Sequence, residues 1–423
     1  MKTRVDELLS DVKDPELKEK YRYLILTLLE KGYFPGLEGV PVIKSGISHI
    51  DGENGLLTYR GYPVQELAEY CTYEDICYLL IHGDLPLLKE RVQLRNELFA
   101  KKDLPASVSK VIVEMDDNLH PMYMLSSSVL LLQAEDQECA CVNDYMLNYR
   151  RGLNLIAKLP SILGVFRNKD ADFAAGKEFD SFAQYCLYVF NPELAFDKNW
   201  VNVFEKILIL HADHTMNNST FSVRAVASSL ASIYASIASA INSLSGPLHG
   251  GANERAIKMF EEIGSPDNVE SYIEEKLARK ERIMGIGHRI YKTYDPRSLY
   301  MKNKILPMVF GEDSIIEVDE EMVNLYEIAR KIEQVVLEKL SGKKLYPNVD
   351  FWSGLILKAI GIEPEYFTTI FALGRILGWV SHWIEHMKIR NKIFRPEQLY
   401  NGIGTRHIIL DAEEESATTN NGI

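Results

Sequence analysis

The sequence predicts an all-α fold. Blocks of helix length, with apolar residues every three or four positions, follow one another from Val64 to about residue 395, separated by Gly, Pro or charged turns. A convincing strand pattern occurs only near residues 40–60. A chain with so little strand buries its apolar faces helix against helix, and its 423 residues are enough for two or three domains.

The first thirty residues are predicted to form an amphipathic helix. Apolar side chains recur at helical spacing, and Gly32 follows as a stop signal. Pro15 is a candidate break in this helix. The apolar positions are Leu8, Leu9, Val12, Leu17, Tyr21, Leu24 and Leu28.

A β-hairpin is predicted next. Residues 42–49 and 56–59 have the composition of strands, and they flank the turn-rich sequence Asp-Gly-Glu-Asn-Gly at 51–55. At the other end of the chain, the polar residues 412–423 are predicted to be disordered.

Residues 219–245 form an unusual block. Roughly half of them are Ala or Ser, only Arg224 is charged, and Gly246-Pro247 ends the run. The length approaches a membrane span, but Ala and Ser lack the hydrophobicity that insertion needs. We therefore expect one helix whose small side chains let other helices approach closely.

The charge balance argues against nucleic-acid binding. Lys and Arg total 47 against 60 Asp and Glu, which gives a net charge of −13, whereas a nucleic-acid binder presents a basic face. The five cysteines form no Cys-x-x-Cys pair, and the first ten residues contain acids and no apolar stretch. These features favour a cytoplasmic enzyme with reduced thiols.

Four histidines are set among helix-ending residues. His211 and His214 precede the small-residue block, His249 follows it, and His288 lies in a Gly-rich segment. Such positions let side chains and backbone N–H groups face a ligand. A lone histidine is often a satisfied structural residue, and that alternative stays open for each.

His249 allows a more specific prediction. It lies between Gly246-Pro247 and an apolar period that begins at Ala252, so we expect it at a helix N-terminus. The positive end of the helix dipole disfavours imidazolium there. A neutral ring that donates N–H could stabilise a developing oxyanion or enolate, and the alternative is a helix cap.

Asp350 is a candidate general base. It lies among apolar and aromatic neighbours, and desolvation there would raise the carboxyl pKa. The alternative is an N-cap for a helix that starts near Phe351.

Three arginines supply local positive charge that the total conceals. Arg375 lies in an apolar helix, Arg395 precedes a proline, and Arg297 closes an Asp-Pro-Arg unit. A buried Arg needs a carboxylate partner, which could be a dicarboxylate substrate or a structural acid.

A zinc motif competes with these interpretations. His382-Trp-Ile-Glu-His386 matches H-x-x-E-H, which places both histidines on one helical face. The third ligand would come from the acids at 413–415. A zinc hydrolase is therefore a remote alternative.

The ordered motifs resemble the citrate synthase family from about residue 40 to 400. The resemblance implies an almost entirely helical homodimer, with a large domain of residues 1–249 and 356–423 and a small domain of residues 250–355 that closes over the cleft. In chain order the motifs are SHIDGENGLLTYRG (48–61), HPM (120–122), HADH (211–214), GPLHGGAN (246–253), GHRIYKTYDPR (287–297) and NVDFWSG (348–354).

The resemblance also implies catalytic roles. Asp350 would take a methyl proton from acetyl-CoA, and His249 would donate a hydrogen bond to the thioester oxygen. His288 would polarise the ketone of oxaloacetate and protonate the alkoxide. Hydrolysis of citryl-CoA would follow, and no metal or cofactor is implied.

Binding roles follow in the same way. The oxaloacetate carboxylates would be held by His214, Arg297, Arg375 and, across the dimer interface, Arg395. CoA would meet Lys292 and the backbone at Gly285 and Gly287. The chain departs from a common family pattern at Thr215 and Trp352, so 2-methylcitrate synthase, which uses propionyl-CoA, stays open as an alternative.

Overall fold

The chain forms two compact units, one of residues 1–44 and 395–423 and one of residues 45–394. The computed structural model describes residues 9–10, 12–30, 32–312, 314, 316–389 and 392–406. Residues 1–8 of the predicted N-terminal helix and the predicted disordered tail, residues 412–423, lie outside the described residues.

The first unit contains helix α1 (Pro15–Glu30) and a 3-10 turn (Pro35–Leu37). The Asp14 carboxylate accepts hydrogen bonds from the backbone N–H groups of Glu16 (2.9 Å) and Leu17 (3.2 Å), which caps the helix. Pro15 therefore begins this helix, because a proline at the first helical position loses no hydrogen bond. The described residues before it, 9–10 and 12–14, are not helical, so the helix predicted there is wrong. The predicted helix is confirmed from Pro15 onward.

The second unit opens with a three-stranded antiparallel sheet. Its strands are β1 (Ser48–Asp51), β2 (Leu56–Tyr59) and β3 (Tyr62–Pro63), in the order β1-β2-β3. Ser48 pairs with Tyr59 and Asp51 with Leu56, so the turn begins where the sequence predicts. The hairpin is confirmed, although its first strand begins at Ser48 and not at residue 42.

Helices account for most of the rest, which confirms the all-α class for the described residues. In the described part of the second unit, five short 3-10 segments and a π turn (Met301–Ile305) connect some of them. In chain order, the helices of the second unit are α2 (Val64–Tyr70), α3 (Tyr73–His82), α4 (Leu88–Lys101), α5 (Ala106–Val113), α6 (Pro121–Leu131), α7 (Tyr145–Asn168), α8 (Phe182–Phe190), α9 (Lys198–His211), α10 (Asn218–Ala227), α11 (Ile233–Leu244), α12 (Ala252–Ile263), α13 (Val269–Ala278), α14 (Pro296–Tyr300), α15 (Leu306–Phe310), α16 (Glu320–Lys339), α17 (Val349–Ala359) and α18 (Phe367–Lys388).

The small-residue block is two helices, α10 and α11, so the prediction of one helix is wrong. The hydroxyl of Ser228 donates to the Ala225 carbonyl oxygen at 2.7 Å, Leu230 has a φ of +63°, and Ser232 caps α11. Serines that bond to nearby backbone compete with helix continuation. The two helices pack against each other and against α18, as the small side chains predict.

Two helices organise the candidate site. The long helix α18 is buried along most of its length and packs on α3, α7, α9, α10 and α11. Helix α17 packs on α12 and α16. Within the part of the chain that the structure describes, no helix has the length and apolar character needed to cross a membrane.

Candidate active site

A short backbone bridge aligns the segments that carry His288 and Asp350. The N–H of Gly287 donates to the Tyr346 carbonyl oxygen at 2.8 Å, and the Gly287 carbonyl oxygen accepts from the Asn348 side-chain amide at 3.0 Å. His288 directly follows Gly287, and Asp350 lies two residues after Asn348. Side chains separated by more than sixty residues in sequence are thereby held in one local structure.

Gly285 also belongs to this bridge, because its carbonyl oxygen accepts from the Asn348 N–H at 2.8 Å, and its position requires glycine. Its φ is +74°, and a Cβ there would lie 2.8 Å from the Cβ of Phe351. Gly285 and Gly287 therefore form the turn before His288, and their contact with CoA stays a prediction. The Lys292 side chain is exposed and its backbone N–H donates to the Gly52 carbonyl oxygen at 2.9 Å, while its contact with CoA also stays a prediction.

Asp350 lies in the first turn of α17, where the residue is half-buried and its Oδ1 atom is fully buried. Asn348, and not Asp350, caps this helix, because its side chain accepts from the Asp350 N–H at 3.0 Å. Asp350 Oδ1 has no hydrogen-bond partner among the described residues. Burial raises the pKa of Asp350 to about 7, while Arg297 and Arg375 act to lower it and Asp295 to raise it. The raised pKa agrees with the sequence prediction and suits a base that works near neutral pH.

His249 lies just before α12, whose N-cap position is Gly251. Its Nε2 accepts from the Ser219 N–H at 3.3 Å and lies 2.9 Å from the Ser219 hydroxyl, so the proton of the neutral ring is on Nδ1. Burial lowers the pKa of His249 to about 3, and the Arg375 charge adds to this. The ring is neutral, as predicted, but burial and a nearby cation are the causes.

His288 has the opposite tautomer. Its Nδ1 accepts from the N–H groups of Ile290 (3.0 Å) and Tyr291 (3.2 Å), which leaves the proton on Nε2. Burial lowers the pKa of His288 to about 4, with Asp295 acting to raise it and Arg297 to lower it. The two neutral rings therefore offer N–H donors through different nitrogens.

His214 joins this cluster. Its ring centroid lies 5.5 Å from that of His288, and its Nε2 lies 3.2 Å from the Tyr291 hydroxyl. Burial lowers the pKa of His214 well below its usual value, and the charges of Arg297 and Arg375 contribute. The structure thus brings together two of the histidines that the sequence places 74 residues apart.

Arg297 has a carboxylate partner within its own helix turn. Its Nε and Nη2 donate to the two carboxylate oxygens of Asp295, at 3.0 and 2.7 Å. Both side chains are buried. The structural ion pair that the sequence left open is therefore present, and it presents a neutralised pair to the site.

Arg375 differs because no carboxylate pairs with it among the described residues. Its Nε donates to the His211 carbonyl oxygen at 2.7 Å, and Nη2 has no hydrogen-bond partner. The guanidinium carbon lies 4.8 Å from the Phe371 ring centroid. Burial lowers the pKa of Arg375 to about 10. Such a cation can receive the carboxylate of a ligand.

Arg395 lies in the other compact unit, on an exposed stretch without regular secondary structure. Its predicted role across a dimer interface stays a prediction. His211 donates from Nδ1 to the Ile207 carbonyl oxygen at 2.7 Å and packs on Phe371 at a centroid distance of 4.4 Å. It is a structural residue beside the site.

The site contains one arrangement with metal-ligand spacing. Ligand atoms of His214, His288 and Asp295 lie within 4.8 Å of one another, and this is the only such group in the described ranges. However, the lone pair of His288 is used by two backbone N–H donors and Asp295 is bound to Arg297. The trio is therefore poorly prepared to coordinate a cation, whereas the Nε2–H of His288 can donate a hydrogen bond to an anion.

The H-x-x-E-H motif does not form a zinc site. His382 Nδ1 lies 2.8 Å from Arg224 Nη2, and His382 Nε2 lies 3.3 Å from an oxygen of Asp213. Both ring nitrogens are occupied by protein groups. The acids proposed as a third ligand, residues 413–415, lie outside the described residues.

Sequence reasoning missed four residues that shape the site. Tyr291 and Asp295 lie inside the same Gly-rich motif as His288, and that motif was a usable signal. Tyr59 lies inside the motif at 48–61, whereas Ser219 lies in no quoted motif and acts through a contact made by the tertiary fold. Tyr59 accepts from the Asp213 N–H at 3.2 Å and donates to the Asp213 carbonyl oxygen at 3.0 Å.

Comparison with known proteins gives a consistent result. A family model described as "Citrate synthase, C-terminal domain" matches residues 36–397. The citrate synthase of Synechocystis is 39% identical over 370 residues, covering 87% of this chain and 90% of its own, and citrate synthase 2 of Bacillus subtilis is 39% identical over 372 residues, covering 87% and 95%.

Solved structures agree. A citrate synthase from Thermoplasma acidophilum, in a ternary complex with carboxymethyl coenzyme A and oxaloacetate, has a TM-score of 0.81 and 30% identity. The match covers 90% of this chain and 98% of that one. A citrate synthase from Pyrobaculum aerophilum has a TM-score of 0.75 and 37% identity, with 89% and 94% covered.

Proposed function

This chain belongs to the citrate synthase family, and we propose that Asp350, His249 and His288 carry out its reaction. That reaction is the condensation of acetyl-CoA with oxaloacetate and water to give citrate and CoA, the first step of the tricarboxylic acid cycle. The observation that carries the assignment of residues is the Asp350 carboxylate, whose buried Oδ1 has no hydrogen-bond partner and which is coupled electrostatically to Arg297 and Arg375.

In the first step Asp350 removes a proton from the methyl group of acetyl-CoA. A thioester methyl is a very weak acid, so a base alone does not suffice. The Nδ1–H of His249 donates to the thioester oxygen as the negative charge develops there. Its neutral state supports this role, because Ser219 fills Nε2 and leaves Nδ1–H to donate.

In the second step the enolate carbon attacks the ketone carbon of oxaloacetate. The Nε2–H of His288 polarises the ketone oxygen and delivers a proton to the alkoxide. His214, Arg297, Arg375 and Arg395 of the partner subunit hold the two carboxylates. The unpaired Nη2 of Arg375 supports a direct contact with one of them. Water then hydrolyses citryl-CoA.

Closure of the cleft keeps water away until condensation is complete. The proposed moving part is residues 250–355, with residues 1–249 and 356–423 as the large domain. The mutual packing of α12, α16 and α17 supports a small domain built around them. Lys292 and the Gly285 to Gly287 turn would contact CoA from this domain.

We further propose a cytoplasmic homodimer that needs neither metal nor another cofactor. The reaction requires a base, two hydrogen-bond donors and cations for two carboxylates, and side chains of the chain can provide all of them. The five cysteines, which are all free thiols, support a reducing compartment.

An assay of thiol release tests the proposal. The purified protein is mixed with oxaloacetate and either acetyl-CoA or propionyl-CoA, and free CoA is followed with a thiol reagent. We expect CoA release that requires oxaloacetate and is faster with acetyl-CoA. Release with neither thioester would refute the function, and a preference for propionyl-CoA would assign the chain to 2-methylcitrate synthesis.

A further inference from the structure

The H-x-x-E-H segment of α18 belongs to a buried network that the proposed mechanism does not use. Arg224 on α10 bonds through Nη2 to the Glu385 carboxylate and through Nε and Nη2 to His382 Nδ1, at 3.3 and 2.8 Å. Glu385 also accepts from the Gly46 N–H at 3.0 Å. Arg224 and His382 are 0% and 1% exposed, so the motif is an interior contact between two helices.

On its other side, His382 faces Asp213. The His382 Nε2 lies 3.3 Å from Asp213 Oδ1 and 3.5 Å from Oδ2, and Asp213 is fully buried. Because Nδ1 accepts from the guanidinium, Nε2 carries the proton and donates to the carboxylate. His382 therefore connects a cation to an anion across the core.

Asp213 bonds to the backbone of Thr215, the residue that follows His214. Its Oδ2 accepts from the Thr215 N–H at 3.2 Å and from the hydroxyl of Ser48 on β1. Thr215 has a φ of +52°, an uncommon conformation for a β-branched residue. Such strain persists only where surrounding contacts over-determine it, and these contacts lie one residue from the substrate-binding histidine.

We propose that His382 is a positioning residue for oxaloacetate, which acts through Asp213 to hold the strained turn that presents His214. The inference rests on the proposed function for the identity of the ligand. The inference also gives the zinc-like motif a structural role. Its His382 and Glu385 both bond to the Arg224 guanidinium.

Removal of His382 would leave the Asp213 carboxylate buried without its ring partner. Buried carboxylates in that state are strongly destabilised and recover by moving toward water or a new partner. Here such movement displaces the turn at 213–215. A misplacement of about 1 Å at a binding group can cost on the order of 100-fold in rate.

The test compares three variants. His382→Leu removes both ring contacts, while His382→Gln can accept from Arg224 through its carbonyl oxygen and donate to Asp213 through its amide. His386→Gln is the matched control, because it changes the other histidine of the motif on the same helix. Each is measured for the Kd of oxaloacetate by calorimetry, for KM of both substrates and kcat, and for Tm.

We expect His382→Leu to raise the Kd and KM for oxaloacetate roughly 10- to 100-fold, with KM for acetyl-CoA changed less than about threefold. His382→Gln should restore most of the affinity, and His386→Gln should stay within about twofold of the parent. A lower Tm with unchanged oxaloacetate affinity would mean that the network only supports the fold, and it would overturn the proposal. So would equal losses for both substrates.

A further variant, at Ser48, covers the case in which His382→Leu does not fold. Ser48→Ala removes the hydroxyl that donates to Asp213 and accepts from the Thr215 N–H at 3.1 Å, and we expect it to raise the oxaloacetate Kd about three- to tenfold. An unchanged Kd there would contradict the proposal. Failure of the proposed function would give a different result. If the unmodified protein binds oxaloacetate but releases no CoA, the reaction is refuted, and the Kd values of the variants still test the role of His382.

Discussion

Two buried arginines show how a structural residue differs from a proposed site residue in this chain. Arg224 and Arg375 are 0% and 1% exposed, and one nitrogen of each, Nη1 and Nη2 respectively, lacks a hydrogen-bond partner. Arg224 is paired with the carboxylate of Glu385, whereas Arg375 has no carboxylate partner among the described residues. A buried cation that lacks its anion is prepared for an anionic ligand.

The same contrast holds for the acids. Asp213 is surrounded by donors, and its pKa is lowered in spite of burial because His382, Arg375 and Ser48 stabilise the charge. Asp350 is half-buried as a residue, yet its Oδ1 is buried and unpaired and its pKa is raised to about 7. The fold thus pairs Arg224 with Glu385 and Asp213 with His382, whereas Arg375 and Asp350 have no ion-pair partner among the described residues, at the place where substrate binds in the proposed mechanism.

The largest effect on stability is expected in the paired region. Arg224→Met leaves Glu385 and His382 without their cation, and breaking a buried pair from one side costs about 3–5 kcal/mol. We expect a correspondingly lower free energy of unfolding in urea. A variant as stable as the parent would show that this network does not hold the fold.

The opposite sign is expected at Asp350. A carboxyl pKa raised from 3.8 to about 7 corresponds to ~4 kcal/mol, at about 1.4 kcal/mol per pKa unit. The folded state binds this proton more tightly than the unfolded state, so the stability is present below pH 4 and is lost as the pH rises to 7. Asp350→Asn has no carboxyl group to ionise, so it should not lose this stability as the pH rises.

Urea unfolding at pH 4, 6 and 8 checks this sign. The stability gained by Asp350→Asn over the parent should grow between pH 4 and 7 and then stay constant. A gain that is independent of pH, or a variant less stable than the parent at pH 8, would contradict an unpaired, ionised Asp350 in the folded protein.

Arg375→Met should affect binding and not the fold. Losing a charge-assisted hydrogen bond costs about 1.5–3 kcal/mol, so the oxaloacetate Kd should rise roughly 10- to 100-fold. Its free energy of unfolding should stay equal to that of the parent or rise, because an unpaired buried cation is removed. Calorimetry and urea unfolding together test this, and loss of stability with unchanged Kd would reverse the roles assigned to the two arginines.

The smallest effect is expected for Ser219→Ala. The Ser219 hydroxyl lies 2.9 Å from His249 Nε2 and accepts from the Trp379 indole N–H at 3.1 Å. The backbone N–H of residue 219 still donates to Nε2 in the variant, so the His249 tautomer is retained. We expect kcat to fall about tenfold or less with unchanged oxaloacetate Kd, and a fall as large as that caused by loss of His249 would contradict this account.

Local chemistry made much of this predictable from sequence. Turn residues located the hairpin and apolar neighbours indicated the raised pKa of Asp350, whereas Pro15 was interpreted as a candidate break and not as the start of α1. The Asp295-Pro-Arg297 unit contains both members of its ion pair, because an N-cap aspartate and an arginine two residues later face each other.

Individual hydrogen bonds and tertiary contacts were not predictable. The break between α10 and α11 depends on the hydroxyls of Ser228 and Ser229, which donate to backbone carbonyl oxygens three residues earlier, and composition does not reveal such bonds. Ser219 reaches His249 thirty residues away. The H-x-x-E-H pattern places His382 and Glu385 on one helical face, but only packing shows that Arg224 and not a metal occupies that face.

One measurement tests the central claim most directly. CoA release from acetyl-CoA is followed in the presence of saturating oxaloacetate for the parent and for Asp350→Asn, whose oxaloacetate Kd is measured beside it. We predict that the variant binds oxaloacetate within about threefold of the parent, while kcat falls by about 10²–10⁴ because the general base is lost. Turnover near the parental rate in a variant that binds normally would contradict the assignment of Asp350 and the site built around it.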